Sequence, residues 1–135
     1  MKGILIDPYS KSINEVFIKN KDDNKEFCVL LNCTTFNTML LETILSEEEY
    51  LLDGLEISKI VCNVLYMSAD NISSHEKNTK YCGYNLIKYN YSGRGLLFTQ
   101  DDKYNLRETS LTVKDVESLI TWIPSINSAL SFTTH

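Results

Sequence analysis

The stretch of this chain that could best form a site is YCGYNLIKYNYSGRGLLFTQDD, residues 81–102, with four of the eight tyrosines and a tight Ser-Gly-Arg-Gly loop at 92–95. A glycine loop can cradle a phosphate when a helix follows, and a nucleotide P-loop also needs a lysine and a hydroxyl in register. Here β-patterned runs flank the loop, so the sequence favours a hairpin turn. Arg94 at its tip is a candidate binding residue, because a guanidinium can grip a carboxylate or phosphate through two hydrogen bonds.

The tyrosines of this stretch are a second set of candidate contacts. Strand alternation predicts Tyr81, Tyr89 and Tyr91 on one face and Tyr84 on the other. Tyrosine is enriched in binding surfaces, since it offers area and a hydroxyl at low entropic cost, but it also packs well on a half-buried sheet. The sequence favours packing and leaves Tyr84, Tyr89 and Tyr91 as candidate binding residues.

An acidic run, Glu47, Glu48 and Glu49, is the densest charge in the chain. Ser46 and Glu49 have capping-box spacing, and glutamates suit the positive end of a helix dipole. The pattern predicts a short helix here, closed by Gly54. The alternative is a charged surface presented to a basic partner, which keeps the three glutamates as candidate binding residues.

Groups for catalysis or metal binding are scarce. His75 is the sole internal histidine, with only Glu76 beside it, and no Gly-x-Ser-x-Gly, His-Glu-x-x-His or dinucleotide fingerprint occurs. The four cysteines contain no Cys-x-x-Cys pair, so we expect reduced core thiols, no metal site and no cofactor. Enzymatic activity is left undecided, and a non-enzymatic role is favoured.

Charge and length narrow the function classes. The formal net charge of −5, without a Lys/Arg cluster, argues against direct nucleic-acid binding. Apolar runs fall short of the ~18 residues of a membrane-spanning helix, and the N-terminus does not resemble a signal peptide, so we expect a cytoplasmic protein without membrane association. We predict one domain over residues 1–135, with a flexible loop at 69–80 and a C-terminal tail at 125–135.

Residue patterning predicts an α+β fold with one mostly antiparallel sheet and two or three short helices, one of them C-terminal. KGILID (2–7) and INEVFIK (13–19) should form a hairpin after Asp7-Pro8. NKEFCVLLNC (24–33) favours a helix over a buried strand, with Asp23 or Asn24 as N-cap.

Further strands are expected at 34–44, at 55–68 and, less regularly, at 106–113, with 55–68 in the centre of the sheet. An apolar stripe at helical spacing predicts the last helix from about Thr112 to Trp122, stopped by Pro124.

The two ends of the chain share a pattern with known proteins, through Ile6-Asp7-Pro8, Ile13 to Val16, Gly93-Arg94-Gly95 and Asp101-Asp102. Over about a third of its length the chain resembles a group of small phage and mobile-element proteins of unknown function, while residues 43–80 depart from their pattern. The resemblance implies an accessory protein that binds and inhibits a host protein, such as a nuclease of an anti-phage defence system, in the host cytoplasm. It brings no catalytic residues.

Three functions are therefore considered. The favoured one is an inhibitor whose acidic surface binds a basic host protein. The second is a module that sequesters a nucleotide signal through Arg94, the glycine turn and a stacking tyrosine, with homo-oligomer formation left open. The third is a small hydrolase of a nucleotide or nucleic acid.

Overall fold

A computed structural model gives the structure of the protein and describes residues 1–68, 79–101 and 105–125. The fold is α+β with antiparallel pairing throughout these residues, as the sequence predicts. No helix among them is long and apolar enough to cross a membrane. The strands are β1 (Lys2–Asp7), β2 (Ser12–Phe17), β3 (Phe36–Leu52), β4 (Leu55–Ser68), β5 (Tyr81–Leu86), β6 (Tyr89–Ser92), β7 (Gly95–Gln100), β8 (Leu106–Arg107) and β9 (Ile120–Pro124), and the helices are α1 (Asn24–Leu31) and α2 (Val113–Leu119).

The described strands form two sheets instead of the one expected. The larger sheet has the order β2-β1-β7-β4-β3, with β8 pairing on β7, and the smaller has the order β6-β5-β9. The central strand of the larger sheet is β7, so the prediction that residues 55–68 lie in the centre is wrong. Five of the six β7 residues are buried, as a strand covered on both faces requires.

The N-terminal hairpin and α1 follow their predicted patterns. β1 and β2 pair from Lys2↔Phe17 to Asp7↔Ser12. Asp23 is the N-cap of α1, and its Oδ1 accepts a hydrogen bond of 3.0 Å from the Lys25 N–H.

Two apolar cores lie on opposite faces of the larger sheet. One joins this sheet to the smaller sheet and α2, and the other lies under α1, which gives three layers. The first core contains Ile4, Ile6, Leu41, Leu65, Tyr84, Leu86, Tyr91, Leu97 and Val116, and the second contains Ile18, Phe27, Leu31, Val64, Leu96 and Phe98.

The predicted helix after Ser46 is wrong, because this segment lies within the 17-residue strand β3. Asp53 and Gly54 have positive φ angles of 52° and 80° and form the two-residue turn that joins β3 to β4. Asp-Gly between two β-patterned runs is a strong hairpin signal, and here it outweighs the capping-box spacing of Ser46 and Glu49.

The C-terminal helix begins as predicted and ends early. The Asp115 N–H donates to Thr112 Oγ1 at 3.1 Å and the Thr112 N–H donates to Asp115 Oδ2 at 2.9 Å, which completes a capping box. The helix ends at Leu119, so the predicted end at Trp122 is wrong. β-Branched and aromatic residues favour an extended chain once a strand edge is available, and β5 offers that edge to β9.

Asp115 allows a test of the cap by pH. Its hydrogen bonds from Thr112 hold the pKa of its carboxyl below the usual value. The stabilisation is therefore present above the unfolded-state pKa and is lost as the pH falls through the lower folded-state pKa. We expect Asp115→Ala to lower the Tm at pH 7, and the gap from wild type to narrow progressively as the pH falls below the unfolded-state pKa of about 3.9.

Thermal unfolding followed by circular dichroism between pH 3 and 7 measures this gap. Asp22→Ala, at an exposed position outside both helices, is the control. Equal and pH-independent shifts in the two variants would contradict the cap.

Parts of the remaining predictions lie outside the described residues, namely 69–78 of the expected loop and 126–135 of the expected tail. The described ends of these segments are tied together. Ser125 donates its N–H to the Lys80 carbonyl at 2.9 Å and its hydroxyl to the Thr79 carbonyl at 2.6 Å. The strand expected at 106–113 is short, as β8 covers only Leu106–Arg107.

Candidate functional site

The glycine loop at 92–95 carries the chain from one sheet to the other. β6 ends at Ser92 in the smaller sheet and β7 begins at Gly95 in the larger one. The turn of the β5–β6 hairpin lies instead at Ile87 and Lys88, where Ile87 has a φ of 57°. The prediction of a hairpin turn at 92–95 is therefore wrong. Gly93, with a φ of 77°, donates its N–H to the Cys82 carbonyl at 2.8 Å.

Arg94 lies against the β1–β2 turn. Its Nε is 3.4 Å from Asp7 Oδ2, with the two side chains 23% and 15% exposed, and its guanidinium carbon is 5.5 Å from the Tyr9 ring centroid. Ile6 pairs with Gly95 in the adjoining ladder. The two motifs of the phage-protein resemblance, Asp7-Pro8 and the glycine loop, thus meet in space, and Arg94 joins them.

Two of the three candidate tyrosines lie in the core. Tyr84 pairs with Tyr91 across the β5–β6 hairpin, with ring centroids 5.6 Å apart, so the predicted separation of these two onto opposite faces is wrong. Burial raises the pKa of both hydroxyls. Tyr84 is fully buried and its hydroxyl has no hydrogen-bond partner among the described residues, whereas the Tyr91 hydroxyl donates to Met39 Sδ at 3.2 Å. Tyr89 is 55% exposed.

The acidic run lies on a two-stranded extension of the larger sheet. β7 pairs with β4 only along residues 62–67, whereas β3 and β4 remain paired from Ser46↔Val61 to Leu52↔Leu55. We call residues 46–61 the arm. Its seven register pairs extend the hairpin past β7 by roughly 20 Å, at ~3.3 Å per residue.

The outer strand of the arm is an edge strand. Among the described residues, β3 pairs with β4 alone. An edge strand presents unpaired backbone N–H and C=O groups, and a two-stranded hairpin alone is marginally stable in water. β3 contains four glutamates and no lysine, arginine or proline, so any charge that protects this edge is negative. Glutamate is disfavoured in strands, which leaves the acidic run without a local structural explanation.

A cavity that sequence reasoning missed lies between the β1–β2 turn and the α2–β9 segment. It measures about 230 Å³ and is lined by Lys11, Ile13, Glu117, Ile120 and Trp122. The lining combines one cation, one anion and three apolar side chains. The sequence signal was faint, because the residues come from opposite ends of the chain.

Residues with metal-binding chemistry do not assemble in the part of the chain that the structure describes, since it holds no group of three His, Cys, Asp or Glu suited to a metal ion. Cys28, Cys33 and Cys82 form no disulfide within the part of the chain that the structure describes. His75 and His135 lie outside the described residues.

Comparisons of the chain with protein-family models, curated proteins and solved structures give no match. The likeness of its two ends to phage and mobile-element proteins therefore stays a prediction.

Proposed function

We propose that the protein is a non-enzymatic inhibitor that binds a basic host protein through the arm. The observation that carries the proposal is the position of Glu47, Glu48 and Glu49 on a protruding edge strand. A helix N-terminus would have explained these glutamates as caps, and the fold removes that explanation.

The backbone geometry suits a basic groove. Two paired strands lie ~4.8 Å apart, so the arm is narrow. The three consecutive glutamates place the densest negative charge of the sequence on this narrow hairpin. A groove lined by Lys and Arg for a nucleic-acid backbone is complementary to it in charge. Complementary charge also speeds the encounter of the two proteins.

The resemblance of the chain ends supplies the setting for this proposal. A phage or mobile-element accessory protein with an acidic arm would inhibit a host nuclease of a defence system by occupying its substrate groove. The nucleotide alternative at Arg94 gains no support from the geometry, because Arg94 contacts Asp7 and Tyr9 while Tyr84 is buried.

The test is retention of a host protein from lysate at low salt by three tagged forms of the chain. We expect wild type to retain a stoichiometric basic partner, whose nuclease activity falls when the protein is added. We expect the triple variant E47K/E48K/E49K to lose this partner, because the reversed charges repel a basic groove. High salt should release the partner from wild type, since exposed charge contacts are screened.

The matched control is E15K/D22K/E108K, which makes the same change in net charge at exposed positions outside the arm. It should keep the partner that wild type retains. Equal retention by the arm variant and wild type would overturn the proposal, as would equal loss in the arm variant and the control.

A further inference from the structure

The cavity at Lys11 lies where the two sheets meet at one end. Lys11 and Ile13 belong to the β1–β2 hairpin of the larger sheet, whereas Glu117 lies on α2 and Ile120 and Trp122 on β9 of the smaller one. Its ~230 Å³ is below the usual ~300–1,000 Å³ of pockets for drug-sized ligands. It therefore has room for one planar ring system and not for two.

The backbone of Lys11 has a left-handed conformation that glycine would adopt with less strain. Lys11 has a φ of 53°, and its N–H donates to the Pro8 carbonyl at 3.2 Å, which closes the turn. Glycine fits this left-handed position without strain, whereas a residue with a Cβ is destabilised there. Strained backbone of this kind is common at binding sites.

Charge is concentrated beside the cavity. The ammonium groups of Lys11 and Lys80 lie 5.3 Å and 5.7 Å from the centroid of the Tyr81 ring. A single ammonium group is sufficient for a cation–π contact with this ring. The second ammonium group places another positive charge beside the same ring. Lys11 makes no salt bridge with Glu117, although both line the cavity. Of these groups, Lys11 and Glu117 line the cavity, and they offer one cation to an anionic ligand and one carboxylate to its donor groups.

We propose that this cavity binds a nucleoside monophosphate, independently of the arm. The base packs against Trp122, Ile13 and Ile120, because a planar base stacks on aromatic and apolar surfaces. The phosphate lies beside Lys11, which acts as a point charge. Glu117 accepts N–H groups from the base, and guanine presents two adjacent donors that match the two oxygens of a carboxylate.

The test is isothermal titration calorimetry of the full chain with guanosine monophosphate. We expect wild type to bind. Lys11→Gly should weaken binding at least tenfold. Its Tm without ligand should rise by about 3 °C, because glycine relieves the left-handed strain. Lys11→Arg should bind within about threefold of wild type, since it keeps the charge. Glu117→Gln should weaken binding about fivefold and reduce the preference for guanosine over adenosine monophosphate.

Lys21→Gly, at an exposed turn lysine outside the cavity, is the matched control and should bind as wild type does. Equal affinity of Lys11→Gly and wild type would overturn the proposal. So would an equal affinity for guanosine without its phosphate or for inorganic phosphate alone, or the absence of heat with 10 mM nucleotide, a concentration that would reveal even millimolar binding.

Discussion

Gly95→Ala is expected to lower the free energy of unfolding by about 3 kcal/mol, and Tyr84→Phe is expected to restore most of that loss. A Cβ at position 95 would overlap the Tyr84 hydroxyl and would lie 2.9 Å from Leu65 Cδ1. All three residues are buried where the two sheets pack together. Because the hydroxyl is the nearest atom, its removal relieves the main overlap, and small side-chain movements then accommodate Leu65 Cδ1 and Tyr84 Cζ, which lies at 3.1 Å.

Urea unfolding of wild type, both single variants and the double variant completes the cycle. Tyr84→Phe alone should be neutral or stabilising by about 1 kcal/mol, since it removes a buried hydroxyl that lacks a hydrogen-bond partner. We expect a coupling energy of at least ~1.5 kcal/mol between the two positions. Additive effects of the two substitutions would show that the hydroxyl does not set the packing at Gly95.

Phe27→Ala is expected to lower the free energy of unfolding by about 3–5 kcal/mol, the range for loss of a buried phenylalanine. Phe27 is the aromatic side chain through which α1 packs on the larger sheet. It is 1% exposed, and its ring centroid lies 5.0–5.7 Å from those of Phe36, Tyr66 and Phe98. An eight-residue helix has little stability of its own in water, so its attachment depends on this contact.

Val29→Ala on the same helix provides the control, because Val29 is 78% exposed. Its effect should stay within about 0.5 kcal/mol. Both variants can be compared with wild type by urea unfolding monitored by far-UV circular dichroism. A similar small effect in both would mean that α1 is not anchored by Phe27.

The features that could be predicted from the sequence depend on near neighbours in the chain. The turn at Asp7-Pro8, the cap at Asp23 and the capping box of Thr112 with Asp115 each involve residues within a few positions of one another. Their hydrogen bonds join groups that are close in the sequence, so residue type and spacing are sufficient to find them.

The errors arose where a distant partner decides the local structure. Ser46 and Glu49 satisfy a helix cap, but β4 pairs with this strand at fourteen positions through the Asp53-Gly54 turn. The same competition converts the last residues of the predicted C-terminal helix, from Ile120 onward, into β9. Helix and strand propensities differ too little to resist such pairing.

The candidate sites also combine features that residue type reveals with features that only the folded structure creates. The acidic run was recognisable from composition, whereas its position on a protruding strand was not. Lys11 and Glu117 are more than a hundred residues apart in the sequence and meet only because the two sheets pack together. Spacing within the chain contains no information about that contact.

The central position of β7 also determines the order in which the chain can fold. β1–β2 and β3–β4 are local hairpins, but they join only through β7, where Leu97 pairs with both Ile4 and Leu65. Contacts of such large sequence separation form slowly, because a long loop must close first. During synthesis the larger sheet therefore cannot form until residue 100 has left the ribosome. Until then, the strand edges that will pair with β7 stay unpaired. A fragment that ends before Gly95 lacks the strand that joins the two hairpins and cannot complete the larger sheet.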